Sequence, residues 1–315
     1  MTQPTETFDS YDAVGTREDL SDIISIVEQE KTPFTSVVAG TSTATQRLHE
    51  WQTDSLDTAA NNAVVEGDDI VGDAITATTR EANRIQISEK SVTVSDVQNM
   101  VNNAGRKSEI AYQVEKQTKS IKRDMEKALL DNNAAVVGNA TTASEMGGFP
   151  AWIQTNENTI GAAGGSSGSG TIAARTDGTQ RAFTELLLKD VLKQGADSGA
   201  NFDHILLGSF NKQKFSTFSG GSTRFSEDSS KAIVNTVDVY IGDFGEQKVM
   251  FSPQQRARDC LVMDSSLLNI AYLQNLTMFD LARTGASEKK AMRVHYTLEI
   301  LNEKGNGGVF DLTTA

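Results

Sequence analysis

The segment from residue 81 to 156 constrains this chain most, because it reads as a strand, a helix cap and then a rod with no active-site punctuation. Ile85, Ile87, Val92 and Val94 set a strand alternation, and Ser95 with Gln98 makes a capping box that starts a helix. Past Gly105, the residues Ile110, Val114, Ile121, Met125 and Leu129 recur at spacings of four or seven, which draws one apolar stripe. The spacing predicts a single helix of about thirty residues closing near Gly138, on the order of 45 Å long, against a mean of about eleven residues for globular helices. The remaining faces carry Glu109, Glu115, Lys116, Lys119, Lys122, Arg123, Asp124, Glu126 and Lys127. A rod with one apolar stripe builds a thin, extended subunit more readily than it lines a pocket.

Composition points the same way. The 315 residues suffice for one large or two modest domains, yet only 38% are hydrophobic and 6% aromatic, so the core is lean. The net charge of −13 repels free nucleic acid and anionic membranes, which argues against a protein whose main task is to grip phosphate. The single Cys260 excludes an intrachain disulfide framework and a Cys-x-x-Cys metal site. No apolar run approaches membrane-spanning length, and Met1 to Tyr11 is polar with no basic signal region, which predicts a soluble chain made in the cytoplasm.

Read in order, Thr16 with Asp19 forms a cap pair, and Leu20, Ile23, Ile24 and Val27 form an amphipathic helix stripe that runs until Pro33. Residues 47–53 and 79–94 predict two strands of a long ribbon separated by a Gly/Asp/Ala-rich stretch, and a two-stranded ribbon is marginal in water unless it lies on another surface. Gly164 to Gly170 reads as a flexible loop. Beyond it, Phe183, Leu186, Leu187 and Val191 predict a helix stopped by Gly195, and Phe210–Phe218 a helix capped by Ser209. Strands are predicted at 205–207, 237–241, 247–251, 260–263, 268–273, 291–301 and 308–312, the last two joined by the turn-rich Asn302–Gly307. Helices and strands in separate runs make the fold class α+β, with no internal repeat.

Catalytic chemistry finds little support. His49, His204 and His295 show no metal-ligand spacing and read as ordinary strand-face histidines. Gly164–Gly170 lacks the Lys-Ser/Thr that follows a phosphate-binding loop. The pairs Asp68–Asp69 and Asp124/Glu126 read as solvated or salt-bridged carboxylates, since acid–base work requires burial or a charged partner. Lys116, Lys119, Lys122 and Arg123 form a basic patch diluted by acids, with Glu115 and Lys119 as an i, i+4 pair, and read as helix-surface and inter-subunit pairing. Cys260 reads as a buried small hydrophobe. No catalytic, cofactor-binding or metal-ligating residue is assigned.

Several motifs, taken together and in order, resemble the major capsid proteins of tailed phages. They are Gly15-Thr16-Arg17-Glu18-Asp19-Leu20, Thr32-Pro33-Phe34, Glu50-Trp51-Gln52-Thr53-Asp54-Ser55-Leu56, Glu66-Gly67-Asp68, Arg123-Asp124, Trp152-Ile153-Gln154-Thr155-Asn156, Leu281-Ala282-Arg283-Thr284-Gly285 and Tyr296-Thr297-Leu298-Glu299. The resemblance implies a Hong Kong 97-like capsid fold. Its expected parts are an N-terminal arm (1–45), an extended loop (46–95), a peripheral domain with a spine helix (96–180), an axial domain (181–274) and closing strands (275–315). It implies a non-enzymatic shell subunit of the virion, assembled in the host cytoplasm. The expected partners are copies of itself in pentamers and hexamers, a portal, separate scaffolding or decoration proteins, and enclosed DNA bound without sequence specificity. The candidate inter-subunit residues are Leu20, Ile23, Ile24, Val27, Trp51, Glu115, Lys119 and Arg123. A host-encoded cage of the same fold shares this physics, and a small-molecule hydrolase with a dispersed site is the alternative of a different class. Because the arm-like motif begins almost at Met1, no large removable scaffolding segment is expected, and mature subunits should weigh close to 33.9 kDa.

Overall fold

The helix predicted as one rod is two helices of very different length. A computed structural model describes residues 29–38, 40–69, 72, 74–103, 105–159, 161–162, 164–218 and 238–314. In it the Ser95 cap opens only a five-residue helix, α2 (Asp96–Met100), where the Ser95 hydroxyl accepts from the Gln98 N–H at 3.2 Å. The chain then turns through Gly105, and a second cap, Ser108, opens α3 (Glu109–Leu130), 22 residues or about 33 Å long. Asp131 takes an extended conformation, so α3 ends eight residues before Gly138, and Val136 instead bridges Glu145. The apolar stripe predicts the buried face correctly, since Ile110, Ile121, Met125, Leu129 and Leu130 are buried.

Ahead of these lie α1 (Pro33–Val37), β1 (Gly40–Thr43), β2 (Leu48–Thr53), β3 (Thr79–Arg84) and β4 (Gln86–Ser95). Pro33 opens a helix rather than closing one, because its fixed φ and missing N–H suit a first helical turn. After α3 follow β5 (Asn156–Asn158), α4 (Glu185–Ser198), β6 (His204–Leu207), α5 (Ser209–Phe215), β7 (Val239–Gly242), β8 (Gly245–Phe251), β9 (Cys260–Met263), β10 (Leu268–Asp280), β11 (Ser287–Ile300) and β12 (Asn306–Val309).

These strands form a four-stranded sheet in the order β1-β10-β11-β4, a six-stranded sheet in the order β5-β12-β9-β6-β8-β7, and the β2–β3 ribbon. The predicted single strand over 79–94 breaks at the buried Ile85, which leaves β3 in the ribbon and β4 antiparallel to β11. Within β4 the period of two places Ile87 on the exposed face and Val92 and Val94 on the buried one, so the four apolar residues do not share one face. The last two predicted strands do not pair with each other: β11 joins the four-stranded sheet and β12 lies between β5 and β9.

Two cores meet at the six-stranded sheet. In β9, Leu261 and Met263 enter the core that α3 shares with Ile270, Val294, Tyr296 and Leu298, while Cys260 and Val262 enter the core under α4. In β6, Leu206 faces the first core, and Ile205 and Leu207 face the second. Covered on both faces, these strands read as continuous apolar runs rather than alternating ones.

The glycines differ from expectation. Gly195 does not stop α4 but is buried inside it, where a Cβ would come within 2.0 Å of the Phe202 ring. The helix ends at Gly199, whose φ of +84° is the left-handed conformation that suits glycine. Ser209 is the first residue of α5, and Gly208 occupies the cap position without a side-chain bond. The Gly164–Gly170 run is packed rather than a free linker: Gly165 bridges Thr176, and Gly170 lies against the Trp152 indole.

Candidate assembly site

Helix α3 presents two chemically distinct faces. On the inner one, Glu126 is fully buried, against the expectation of a solvated or salt-bridged carboxylate. It accepts from the Phe34 N–H at 2.7 Å, the Thr35 N–H at 2.8 Å, the Thr35 hydroxyl at 2.6 Å and the Ser252 hydroxyl at 3.4 Å. Burial pushes its carboxyl above the usual range, and these donors oppose the shift. The carboxylate thereby pins the root of the N-terminal segment, with Phe34 buried against Phe149 at a ring separation of 5.5 Å. Asn83 performs the same service for the ribbon, exchanging bonds with the Gly147 backbone and donating to the Leu298 carbonyl at 2.9 Å.

On the outer face, Lys116, Lys119, Arg123 and Lys127 follow one another at helical spacing, roughly opposite the Ile121 side. Lys119 reaches Glu30 at 3.1 Å and Glu115 at 3.8 Å, and its hydrogen bond to Glu30 raises its pKa. Glu30, Tyr112, Glu115, Lys116, Lys119 and Arg123 border a shallow groove. Asp124 turns the other way and pairs with Lys90 at 2.7 Å.

The long excursion between β2 and β3 differs from everything around it. All described residues from 54 to 78 except those in the Glu66–Gly67 turn lack regular structure, and all of them are exposed. Leu56 is 98% and Ile75 97% accessible, and Val64 and Val65 are exposed as well. Asp54, Asp57, Glu66, Asp68 and Asp69 add negative charge with no Lys or Arg in the interval. Four large apolar side chains are thus left in water along one excursion.

A third polar assembly joins the 156–181 segment to the C-terminal end. Arg175, itself buried, pairs with Glu157 and lies 3.6 Å from the Phe310 ring centroid. Arg256 and Arg258 share Asp177 at 2.7 and 3.2 Å, and Arg258 also reaches buried Asp311 at 2.5 Å. Asp259 lies 3.3 Å from Arg256, yet among the described residues neither of its oxygens receives a hydrogen bond. Desolvation therefore outweighs the arginine and lifts its carboxyl to about 7. No local pattern marks these residues in the sequence, because the partners lie far apart along it. Cys260 beside them is buried, and burial pushes its thiol up.

The predicted site residues are placed unevenly. Leu20, Ile23, Ile24 and Val27 lie outside the described residues. Trp51 is only 8% accessible, packed on Trp152 and His49 in this chain's own core rather than offered at the surface. Glu115, Lys119 and Arg123 do come together on the outer face of α3. The histidines are dispersed, His49 against Glu299 at 3.4 Å and His204 against Asp203 at 2.9 Å. Among the described residues no cluster of His, Cys, Asp and Glu side chains is placed to hold a metal ion, and no helix is long and apolar enough to cross a membrane. Sequence reasoning missed Glu126, Asn83 and the Asp259 cluster as buried polar anchors.

Residues 3–313 match the family model described as SU10 major capsid protein. The chain belongs to that family. A major capsid protein of Escherichia phage Phieco32 is 41% identical over 135 residues, which are 42% of this chain and 38% of that protein, so the chain's match spans well under half of this relative. The fold is that of tailed-phage capsids of the Hong Kong 97-like class, α+β as expected. A chain of Gordonia phage Cozz superposes with a TM-score of 0.61 at 13% identity, covering 99% of this chain and 98% of that one. The capsid of a native GTA particle gives 0.62 at 11% identity, covering 96% and 98%.

Proposed function

We propose that the chain is the shell-forming subunit of a phage capsid, structural rather than enzymatic, which assembles with copies of itself into a closed icosahedral particle around double-stranded DNA. The observation that carries this reading is the 54–78 excursion: exposed at every described residue, apolar at Leu56, Val64, Val65 and Ile75, and rooted in the body of the subunit by Trp51 and Asn83. Membership of a major capsid protein family supplies the context. Many copies repeating a few modest contacts in closed symmetry give a stable shell although each contact is weak.

In this reading the arm (1–45) and the extended loop (46–95) reach neighbouring subunits. The α3 region (96–180) forms the peripheral domain, the six-stranded sheet the body of the axial domain around 181–274, and the 275–315 segment closes both. The acidic balance keeps the inner wall from gripping DNA, so nucleic acid is enclosed without sequence-specific contact. A portal and separate scaffolding or decoration proteins complete the particle, which assembles in the host cytoplasm and persists as the virion capsid. Size-exclusion chromatography with negative-stain microscopy of the purified chain tests this. Shells, sheets or capsomers are expected, and a permanently monomeric or dimeric protein under all assembly conditions refutes it.

A further inference from the structure

The charged junction beneath the C-terminal end turns on one arginine that serves two carboxylates unequally. Arg256 Nη2 donates to both oxygens of Asp177, at 2.8 and 2.7 Å. Its Nη1 makes no hydrogen bond among the described residues and lies 3.3 Å from Asp259 Oδ2. Asp259 is 1% accessible and, among the described residues, has no hydrogen bond on either oxygen. An ionised carboxylate buried there demands a donor. Arg256 is its ion-pair partner, and turning the guanidinium fully toward Asp259 draws Nη2 off Asp177.

Asp177 lies on a strap, residues 175–181, that covers the C-terminal segment. Arg258 holds Asp177 at 3.2 Å, the Gly178 carbonyl at 2.7 Å and Asp311 at 2.5 Å. Four amides close the junction: Gly178 donates to the Asp311 carboxylate, Arg181 to the Asp311 carbonyl, Leu312 to the Arg258 carbonyl and Thr313 to the Arg181 carbonyl. At its other end the strap is tied to α3, since Asn132 exchanges two bonds of 2.8 Å with the Arg175 backbone. The charges bearing on Asp259 are Arg256, Arg175 and Arg258, which favour its ionised form, and Asp177, which opposes it. Further out, Asp131 at the end of α3 faces Arg256, Glu303 and Asp311 face Glu157 of β5, and Arg181 faces Asp311. Cys260 stays protonated, because burial pushes its thiol up. We propose that Asp259 and Arg256 form a proton-gated clasp: with Asp259 protonated, Arg256 locks the strap onto the C-terminal segment, and with Asp259 ionised, Arg256 turns to it and the strap loosens. All its parts lie within one subunit, so the clasp stands whether or not the chain closes a shell.

The direction follows from burial, which outweighs the three arginines and lifts the Asp259 carboxyl to about 7. With an ordinary value of about 4 in the loosened form, the loosened population gains about tenfold between pH 6 and pH 8. Amide hydrogen exchange of the full-length, unassembled protein at these two pH values, corrected for intrinsic rates, tests it. The Gly178, Arg181, Leu312 and Thr313 amides should lose about tenfold in protection at pH 8, while those of β10 and β11 keep theirs. Asp259→Asn mimics the protonated form and should hold the four amides equally protected at both values. Asp177→Asn, at a partly exposed position, weakens the contact that ionisation breaks and should lower their protection already at pH 6. Equal protection at pH 6 and pH 8 in the unmodified chain would overturn the clasp. So would a loss that persists in Asp259→Asn, or full protection at pH 6 in Asp177→Asn. Should Asp259→Asn fail to fold, the unmodified chain and Asp177→Asn still decide.

Discussion

The molecule makes two long hairpin-like excursions, and they are built on opposite principles. In the β10–β11 hairpin, strands of 13 and 14 residues pair almost from end to end, and β4 lies along β11 for ten residue pairs. In the β2–β3 excursion six pairs form at the base, and the described residues of the 54–78 interval beyond them have no ladder and no cover. The first excursion satisfies its backbone and buries Val294, Tyr296 and Leu298 against its own chain. The second keeps its apolar residues in water. The contrast separates a hairpin that one subunit covers with its own chain from an interval that it leaves uncovered, and loops without buried contacts sit at the low end of local stability.

The comparison breaks most violently if the self-stabilised part is struck. Ile121→Asp places a carboxylate at a fully buried position beneath the β10–β11 sheet, and should cost several kcal/mol and leave the subunit insoluble. Soluble expression with an unchanged denaturation midpoint would show that this face is not core. Glu126→Ala strands the Phe34 and Thr35 N–H groups and should destabilise by about 2–5 kcal/mol. Limited proteolysis should then cut near residues 29–38 before any site in the sheets, and Glu126→Gln, which keeps an acceptor, should lose much less.

Asp259 sharpens the contrast through pH. Its folded pKa, about 7, lies above its unfolded one, so its ionisation opposes folding as pH rises from about 4 through 7, by up to about 4 kcal/mol. Asp259→Asn should flatten that part of the stability profile in denaturant titrations at stepped pH. An unchanged slope would mean that the arginines keep the carboxylate ionised throughout. The smallest effect on the isolated subunit belongs to the loop. Leu56→Ser and Ile75→Ser should change its stability by less than about 0.5 kcal/mol while lowering the yield of assembled particles. Amides of 54–78 should exchange within the earliest hydrogen-exchange time points in free subunits and slow on assembly. Protection there equal to that of α3 in the free subunit would show that the loop is self-ordered after all.

What was legible in the sequence followed periodicity. The stripe Ile110, Ile121, Met125 and Leu129 gave the buried face of α3, and the apolar runs at 205–207 and 260–263 gave the central strands. Boundaries escaped it, because a cap such as Ser95 announces a start but not a length, and a second cap at Ser108 was needed. Long-range polar anchors escaped it entirely. Glu126 looks like any charged helix residue until Phe34 and Thr35, more than ninety positions away, arrive to bond it. The grouping of Glu115, Lys119 and Arg123 was legible since one helix brings it together, whereas the burial of Trp51 was not, because its partner Trp152 lies in another segment.

The break at Ile85 has a mechanical consequence. β3 and β4 are one continuous chain, so tension applied at the 54–78 tip passes through Ile85 directly into β4. That strand is held to β11 along its length, from Gln86 opposite Tyr296 to Ser95 opposite Ser287, and a pull along its axis strains all these pairs at once instead of peeling them one by one. The uncovered excursion is thus moored at a strand well placed to resist being dragged, and stress applied at its tip is delivered to the sheet that lies over α3.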